Sequence, residues 1–226
     1  MDCCKAMFAV GLMSLALSLT PARAQDASDA AGVRGSKPIR TLKDIRGEGV
    51  VRQRWDISCG AAALSTLLTY DFKDNTPETA IVVWILHRTD PARVRSRGGF
   101  SLLDLKRFAQ ARGYHAEGFS DMSIEELASQ KSSVITPIRL KGFDHFVVVK
   151  GIVGDRVLLA DPGFGNVTMK TNRFKEVWKN GIVFIVHPPD ERMQMPKNIS
   201  TSARILPDES LITRSIAMTT PSFGLH

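Results

Sequence analysis

Apolar positions in the central part of the chain first repeat with a helical period and later alternate as in strands. This pattern predicts helices over 59–70, 77–87, 101–112 and 123–129, and a further short one over 171–179. It predicts strands over 134–140, 145–152, 156–160, 166–170 and 182–187. Helices that precede an antiparallel set of strands are typical of an α+β fold, in which the N-terminal helices pack on the sheet.

Residues with special backbone roles support several of these boundaries. Thr76 and Pro77 predict a cap and a first-position proline for the second helix, and Gly113 closes the third. Gly154, followed by an aspartate, predicts a tight hairpin between two of the strands. The regular pattern occupies residues 47–188, which we interpret as one domain that is large enough to fold around its own core.

The first 24 residues have the features of a secretory signal peptide. Lys5 stands near the start, an apolar stretch covers 6–19, and Ala22-Arg23-Ala24 has the small-residue pattern of a cleavage site. The mature chain would begin near Gln25, without the two cysteines of the signal peptide. The apolar stretch is too short for a membrane span. We therefore expect export to the periplasm and no stable membrane insertion.

Two segments outside the domain lack apolar periodicity. Residues 25–46 are rich in Ala, Ser, Gly and Asp, which predicts a flexible leader. Residues 189–226 contain several prolines and many Ser and Thr, which predicts an irregular tail with one short helix around 209–218.

The chain has a formal charge of +7, and the mature chain would keep +6 because the signal peptide holds two basic residues and one acidic residue. The excess is spread along the sequence, with no run of Lys or Arg and no interleaved aromatic residues. This distribution is typical of a basic soluble surface. We therefore expect no nucleic-acid partner.

Cys59 is the one cysteine of the mature chain, and it stands at the start of the first predicted helix. The unpaired N–H groups and the positive end of a helix dipole stabilise a thiolate, the form in which a cysteine acts as a nucleophile. Gln53, six residues upstream, is a neutral donor placed to help form an oxyanion hole. The alternative is a buried structural cysteine, since free cysteines are among the most buried residues.

His145 and Asp161 are the candidates to complete such a site. His145 opens an apolar strand, and Asp161 follows the next one. Counting eight residues either side of position 153 pairs the two almost symmetrically, so the carboxylate would accept the second ring N–H and fix the tautomer. The alternatives are a histidine satisfied at a strand end and a plain Asp-Pro-Gly turn. Asp144 is the poorer partner because adjacent strand residues point to opposite faces.

The order Cys, His, Asp along the chain is that of papain-type thiol hydrolases. A zinc site would need more than one cysteine at local spacing. Gly163 and Gly165 are not followed by a phosphate-binding helix at the right spacing, so a nucleotide loop is not expected. We therefore expect neither a metal ion nor an organic cofactor.

Three segments resemble cysteine peptidase family thirty-nine of the papain clan: QRWDISCG, which ends at Gly60, DHFVVVKGI around His145 and LADPGFG around Asp161. The likeness covers residues 47–188 and implies a papain-like fold. It implies Cys59 as nucleophile, His145 as general base and then acid, Asp161 as the residue that orients the imidazole, and Gln53 in the oxyanion hole. Members of this family cleave double-glycine leaders from bacteriocin precursors, which implies a peptide or protein substrate.

The predicted signal peptide distinguishes this chain from the family members that are cytosolic domains of ATP-driven transporters. The chain is more similar to stand-alone periplasmic members, which include accessory proteases of functional-amyloid secretion systems. This resemblance implies a secretion-system partner. Two other classes of function stay open. One is a thiol amidase or acyltransferase on the same scaffold, and the other is a non-catalytic binding module, against which the complete set of Gln, Cys, His and Asp argues.

Overall fold

The computed structural model describes residues 41–193 and 206–211, which form seven α-helices and a six-stranded antiparallel sheet; five of the helices precede the first strand and two lie between strands. The helices are α1 (Leu42–Gly47), α2 (Cys59–Thr66), α3 (Glu78–Leu86), α4 (Pro91–Arg97), α5 (Leu102–Ala111), α6 (Ile124–Ser129) and α7 (Thr171–Val177). A π-helical turn, Leu67–Asp71, continues α2, and a 3₁₀ turn lies at Glu191–Met193. The strands are β1 (His115–Phe119), β2 (Val134–Leu140), β3 (Phe143–Val153), β4 (Arg156–Asp161), β5 (Gly165–Lys170) and β6 (Val183–His187).

The α+β prediction is confirmed, and within residues 41–193 each predicted helix and strand is present with its ends shifted by at most two residues, when the π-helical turn is counted with α2. The sheet order is β1-β6-β2-β3-β4-β5, so the long strand β3 lies between β2 and β4. Helices α2, α3 and α5 pack on one face around Leu64, Ile81 and Leu105. Helices α6 and α7 cover the other face around Leu127 and Phe174. The sheet is thus buried on both sides, with α2 against β3.

The sequence pattern does not predict three further elements, α1, α4 and β1. Val94 is the one buried residue of α4 and Ala116 that of β1, so neither element has enough buried apolar positions to show a period. Helix α1 buries no residue, and a capping box between Thr41 and Asp44 begins it. Residues 42–46, which fall within the predicted flexible leader, are thus helical, and residues 25–40 lie outside the described residues.

Two finer expectations concern single positions and the tail. Pro77 is the N-cap residue of α3 with extended backbone, not its first helical residue, so the first-position proline is a wrong prediction. Residues 209–211 are helical, and the remainder of the predicted helix 209–218 lies outside the described residues.

Within the described parts of the chain, no helix has both the length and the apolar character needed to cross a bilayer.

Candidate functional site

The helix side of the candidate site consists of the loop 53–58 and α2, which follows it directly. Cys59 is the first residue of α2 and is buried, with 7% of its surface exposed. Ser58 is the N-cap residue, yet its hydroxyl does not cap the helix and faces Glu78 and Trp55 instead. The first-turn N–H groups beside Cys59 are therefore left available to the thiol and to an oxyanion bound near it.

Small residues let α2 lie close to the sheet. Residues 61–63 are alanines that are fully buried. A Cβ added at Gly60 would lie 3.2 Å from side-chain carbons of both Leu105 and Phe146. A larger side chain at position 60 would separate Cys59 from the strand that carries the candidate histidine.

Gln53 begins the loop, and its side chain lines the same cavity as Cys59. Its Nε2 donates to the Trp55 carbonyl at 3.1 Å, which uses one of the two amide hydrogens. Its backbone N–H donates to the Pro162 carbonyl at 2.9 Å, so Gln53 connects the helix side to the turn that follows β4. An oxyanion bound in this cavity could accept a hydrogen bond from the second amide hydrogen.

The sheet side of the site consists of His145, the third residue of β3, and the turn 161–165 between β4 and β5. His145 Nε2 lies 2.9 Å from Asp161 Oδ1. Burial acts to lower the pKa of His145, but hydrogen bonds to Asp161 and Cys59 and the charges of both outweigh it and raise this pKa to about 10. The imidazole thus lies between a carboxylate and the thiol and is protonated at neutral pH.

Asp161 is 2% exposed, and its Oδ1 also accepts the backbone N–H groups of Gly163 at 2.7 Å and Phe164 at 3.1 Å. Bonds to the second and third following residues are typical of an aspartate in a turn. The two interpretations of Asp161 therefore both apply. The turn holds the carboxylate in place, and the same oxygen contacts the histidine ring.

The β3–β4 hairpin does not have the symmetric register that the sequence count predicts. Val148 lies opposite Ala160, and Lys150 is the unpaired residue of a β-bulge. Asp161 therefore faces position 147, and His145 is its diagonal neighbour on the same face. Without the extra residue Asp161 would face position 148, and strand alternation would turn it away from His145. The symmetric count is wrong, and the bulge brings the two side chains together.

Asp144 is engaged in ion pairs elsewhere. Its Oδ2 accepts a hydrogen bond from Lys179 Nζ at 2.8 Å, and its Oδ1 lies 3.4 Å from Arg139 Nε. Arg139 is also its cross-strand partner on β2. The structure therefore pairs His145 with Asp161, whereas Asp144 contacts the side chains of Lys179 and Arg139.

Two arginines from the segment before the loop bind the turn of the sheet side. Arg46 Nη2 donates to the carbonyl of residue 164 at 2.6 Å, and Arg52 donates to the carbonyls of residues 162 and 163. Burial and the charge of Arg46 lower the pKa of Arg52, and Asp161 acts in the opposite direction. No motif indicated these residues, because their contacts span more than a hundred positions of sequence.

Close backbone packing accompanies these bonds. Gly165 has φ +85°, and a Cβ there would collide with the carbonyl of Arg46. Asn166 Nδ2 donates to the Glu48 carbonyl at 2.6 Å. The segment that the sequence pattern assigned partly to a flexible leader is thus part of the support of the site.

Gln53, Cys59 and His145 line one cavity of about 740 Å³. This volume is within the range of ligand-binding clefts. Its lining also includes Ile57 and Phe164, which lie within two of the sequence motifs, and residues that no motif indicated: Leu140, Phe143, Arg173, Glu209 and Ser210. Phe143 is the one of these residues that the sequence could have indicated, because it is an aromatic residue two positions before the candidate histidine. In the structure its side chain is 78% exposed and packs into no core.

Residues 206–211 of the tail reach this cavity through the edge strand β5. The Thr168 N–H donates to the Pro207 carbonyl at 3.0 Å, and Arg156 pairs with Asp208 at 2.8 Å. These contacts place Glu209 in the cavity wall, where burial raises its pKa and the charge of Arg173 opposes that effect. A tail predicted as irregular thus contributes to the candidate cleft.

The site brings together a thiol, an imidazole, a carboxylate and an amide. This set can carry out acyl transfer through a covalent intermediate. Among residues 41–193 and 206–211, no three His, Cys, Asp or Glu side chains are grouped so that they could hold a metal ion.

The family model of the Peptidase C39 family matches residues 48–191. Two curated proteins called "Probable functional amyloid protease FapD", from Pseudomonas aeruginosa and Pseudomonas fluorescens, are 35% and 34% identical over 150 residues. Each alignment covers 66% of this chain and 65% of the relative, so the chain spans less than two thirds of their length. The peptidase domain of Streptococcus ComA, a bi-functional ABC transporter, matches with a TM-score of 0.52 and 20% identity over 62% of this chain and 97% of that domain. A structural likeness at 20% sequence identity shows that the two domains share a fold.

Proposed function

The chain belongs to the peptidase C39 family, and from this premise we propose that it hydrolyses peptide bonds through a Cys-His-Asp triad. Residues 48–191 are a cysteine-type peptidase domain. In the proposed assignment Cys59 is the nucleophile, His145 the general base and acid, Asp161 the residue that orients the imidazole, and Gln53 an oxyanion donor. The proposed mechanism uses these four residues, including the backbone N–H of Cys59.

The contact between His145 Nε2 and Asp161 Oδ1 at 2.9 Å, beside a thiol at a helix N-terminus, carries this proposal. With a pKa of about 10, the His145 imidazole is protonated at neutral pH. A cation beside the sulfur and the N–H groups of the first helical turn both favour the thiolate, the reactive form of cysteine. These two supports favour an ion pair of imidazolium and thiolate in the resting enzyme.

In the first step Cys59 Sγ attacks the carbonyl carbon of the scissile peptide bond. A sulfur–carbon bond forms, and the π electrons of the carbonyl move onto its oxygen. The backbone N–H of Cys59 and the free amide hydrogen of Gln53 then donate to this oxyanion. One such donor typically contributes about 3 kcal/mol to transition-state stabilisation.

In the second step the carbon–nitrogen bond breaks while His145 gives its proton to the leaving amine, which leaves a thioester on Cys59. A water molecule then gives a proton to the neutral imidazole while its oxygen attacks the thioester. The thiolate departs, and the carboxylic acid product and the imidazolium result. Asp161 holds the ring in the orientation and tautomer that both steps need.

We infer the substrate class and location from the resemblance and from the predicted signal peptide. Relatives that share 35% identity are called probable functional amyloid proteases. We propose that this chain likewise processes an exported peptide or protein of a functional-amyloid secretion system, in the periplasm. A component of that system is the proposed partner.

The test uses the purified chain and a library of internally quenched peptides that includes peptides with Gly-Gly before the scissile bond. The wild-type chain should cleave members of this library, and Cys59→Ala should not, while both unfold at similar temperatures. A peptide with a free N-terminal amine is added at low concentration as an acceptor. Ligation to this peptide as the dominant product would favour an acyltransferase, and peptide binding without turnover would favour a binding module.

A second arm compares the exported proteins of cells that carry the wild-type chain with those of cells that carry Cys59→Ala. A protein that is processed only in the wild-type cells would identify the substrate. Identical exported proteins in the two strains would argue against a processing role in this compartment.

A further inference from the structure

Glu78 is a buried carboxylate that the mechanism above does not use. It is the first residue of α3 and is 3% exposed. Both of its oxygens accept the backbone N–H of Arg54, at 3.1 and 3.2 Å, and Oε1 lies 2.5 Å from Ser58 Oγ. Burial of a carboxylate is unfavourable unless hydrogen bonds compensate for the lost water. Its position therefore needs a reason beyond the packing of α3.

The groups that Glu78 binds belong to the first and last residues of the segment 54–58. This segment separates Gln53 from Cys59 in the sequence. The Gln53 amide in turn donates to the Trp55 carbonyl within the segment. Both proposed oxyanion donors, the Gln53 amide and the Cys59 N–H, are thus attached to a stretch of backbone that Glu78 holds at both ends.

Ser58 shows a second consequence of the same contact. A serine at an N-cap usually accepts a hydrogen bond from an N–H group of the first helical turn. Ser58 Oγ instead lies close to Glu78 Oε1 and, at 2.7 Å, to the Trp55 carbonyl, and it accepts the Trp55 N–H at 3.2 Å. The Ser58 hydroxyl thus holds the loop to Glu78 and Trp55 and does not cap α2.

We propose that Glu78 is a positioning residue for the oxyanion hole, which holds the segment 54–58 so that Gln53 and the first turn of α2 direct their N–H groups at the reacting carbonyl. The inference rests on the proposed peptidase function. Because an oxyanion forms only in the transition state, a displaced hole lowers kcat and leaves substrate binding and the thiol nearly unchanged.

The test is Glu78→Gln, which keeps the shape of the side chain but replaces one acceptor oxygen with an NH₂ group that faces donors. With the library peptide that the wild-type chain cleaves fastest, kcat should fall by about 10-fold, as expected for a misplaced catalytic group. KM and the rate at which iodoacetamide alkylates Cys59 should each stay within about 2-fold. A merely structural role would lower the folded fraction and reduce turnover and alkylation together.

Asp74→Asn is the matched control. Asp74 also accepts several hydrogen bonds, from Arg112 at 2.8 Å and from Tyr114 at 2.9 Å, and it does not line the cavity. This change should lower the melting temperature and leave kcat unchanged in the folded fraction. A kcat for Glu78→Gln that equals that of Asp74→Asn would overturn the role of Glu78.

A double-mutant cycle with Gln53→Ala completes the experiment. In the Gln53→Ala chain, Glu78→Gln should lower kcat by much less than 10-fold, because one donor that Glu78 positions is already absent. Full additivity would overturn the proposal. If the wild-type chain shows no Cys59-dependent hydrolysis, the proposed function fails and the role of Glu78 fails with it. Hydrolysis by the wild type with a fully additive cycle removes only the role of Glu78.

Discussion

The helix side and the sheet side of the site are built in different ways. The helix side is continuous from Gln53 to the end of α2, and the side-chain bonds of its loop, to Trp55 and to Glu78, span at most 24 residues. The sheet side depends on a bulged hairpin and on Arg46 and Arg52, whose partners lie 118 and 110 residues away. The surroundings of the thiol are thus mostly local in sequence, whereas the orientation of the histidine depends on distant contacts.

This difference predicts two distinct kinds of defect. Changes on the helix side that spare Cys59 should lower kcat and leave the ionisation of His145 as it is. Changes on the sheet side should also alter the pH at which His145 loses its proton, because Asp161 raises its pKa. The pH dependence of kcat should therefore distinguish a defect on the helix side from one on the sheet side.

The largest effect is expected for His145→Ala, which removes the group that joins the two sides. Turnover should fall by about 10⁴-fold or more, as for the loss of a catalytic base in other acyl-transfer enzymes. Alkylation of Cys59 by iodoacetamide near pH 6–7 should slow, since no imidazolium remains to stabilise the thiolate. Mass spectrometry of the labelled cysteine measures this rate. A wild-type rate like that of an ordinary exposed cysteine, unchanged in the variant, would contradict the ion pair.

Gln53→Ala tests the helix side alone. Loss of an oxyanion donor should lower kcat by about 10²-fold or more, with little change in KM or in alkylation of Cys59. Melting temperature and kcat are measured on the same preparation. If Gln53 only connects the loop to the Pro162 carbonyl, the melting temperature would fall and activity would follow the folded fraction. Unchanged activity would leave backbone N–H groups as the oxyanion donors.

Asp161→Asn tests the sheet side. It keeps an oxygen for the turn but loses the charge beside the imidazole, so kcat should fall by about 10²-fold while the chain still folds. Asp144→Asn is the matched control, because Asp144 contacts Lys179 and Arg139 and should matter much less. A larger effect for Asp144→Asn than for Asp161→Asn would mean that the bulged register is wrong.

Arg52→Leu tests the long-range support of the sheet side. The carbonyls of residues 162 and 163 would lose their hydrogen bonds from Arg52, and a small shift of the Asp161 turn should lower kcat/KM by about 10-fold. Arg112→Leu is the control, since its partner Asp74 does not line the cavity. Equal activity of the two variants, measured with one peptide, would show that the turn keeps its position without Arg52.

The smallest effect is a shift of the alkaline limb of kcat. The imidazolium is the acid for the leaving amine, so activity should fall as pH rises through about 10, the pKa of His145. Asp161→Asn removes a hydrogen bond and a charge that raise this pKa, and the limb should therefore move to lower pH. Gln53→Ala should keep the wild-type limb. The measurement is kcat against pH for the wild-type chain, Asp161→Asn and Gln53→Ala. The same alkaline limb in all three would contradict the proposed difference between the helix side and the sheet side.

The sequence by itself determined the elements that carry the site and the identity of its candidate residues. Apolar periods predicted α2 and β2 to β5, because core-facing positions repeat within each element. The position of Cys59 at a helix start and the spacing to Gln53 are local features, and the structure shows both in the helix side. Turn residues act over a few positions, so the hairpin turn at Gly154 could also be predicted from the sequence.

The tertiary structure alone decided how His145 meets Asp161. An extra residue in a strand changes which face every later side chain occupies, and the apolar pattern of the hairpin does not show it. Lys150, the bulged residue, is half-buried, and its Nζ donates to the Gly49 carbonyl at 2.9 Å, which connects the bulge to the same segment that carries Arg46 and Arg52.

The walls of the cavity were also decided by tertiary structure. Glu78 reaches the loop 54–58 from another helix, and Glu209 reaches the cavity from the tail through the pairing of residues 206–211 with β5. Such contacts join segments with no shared local pattern, and they form only when packing of the whole domain brings the segments together. A sequence read element by element therefore identifies the reacting groups, whereas the packed fold determines what holds and surrounds them.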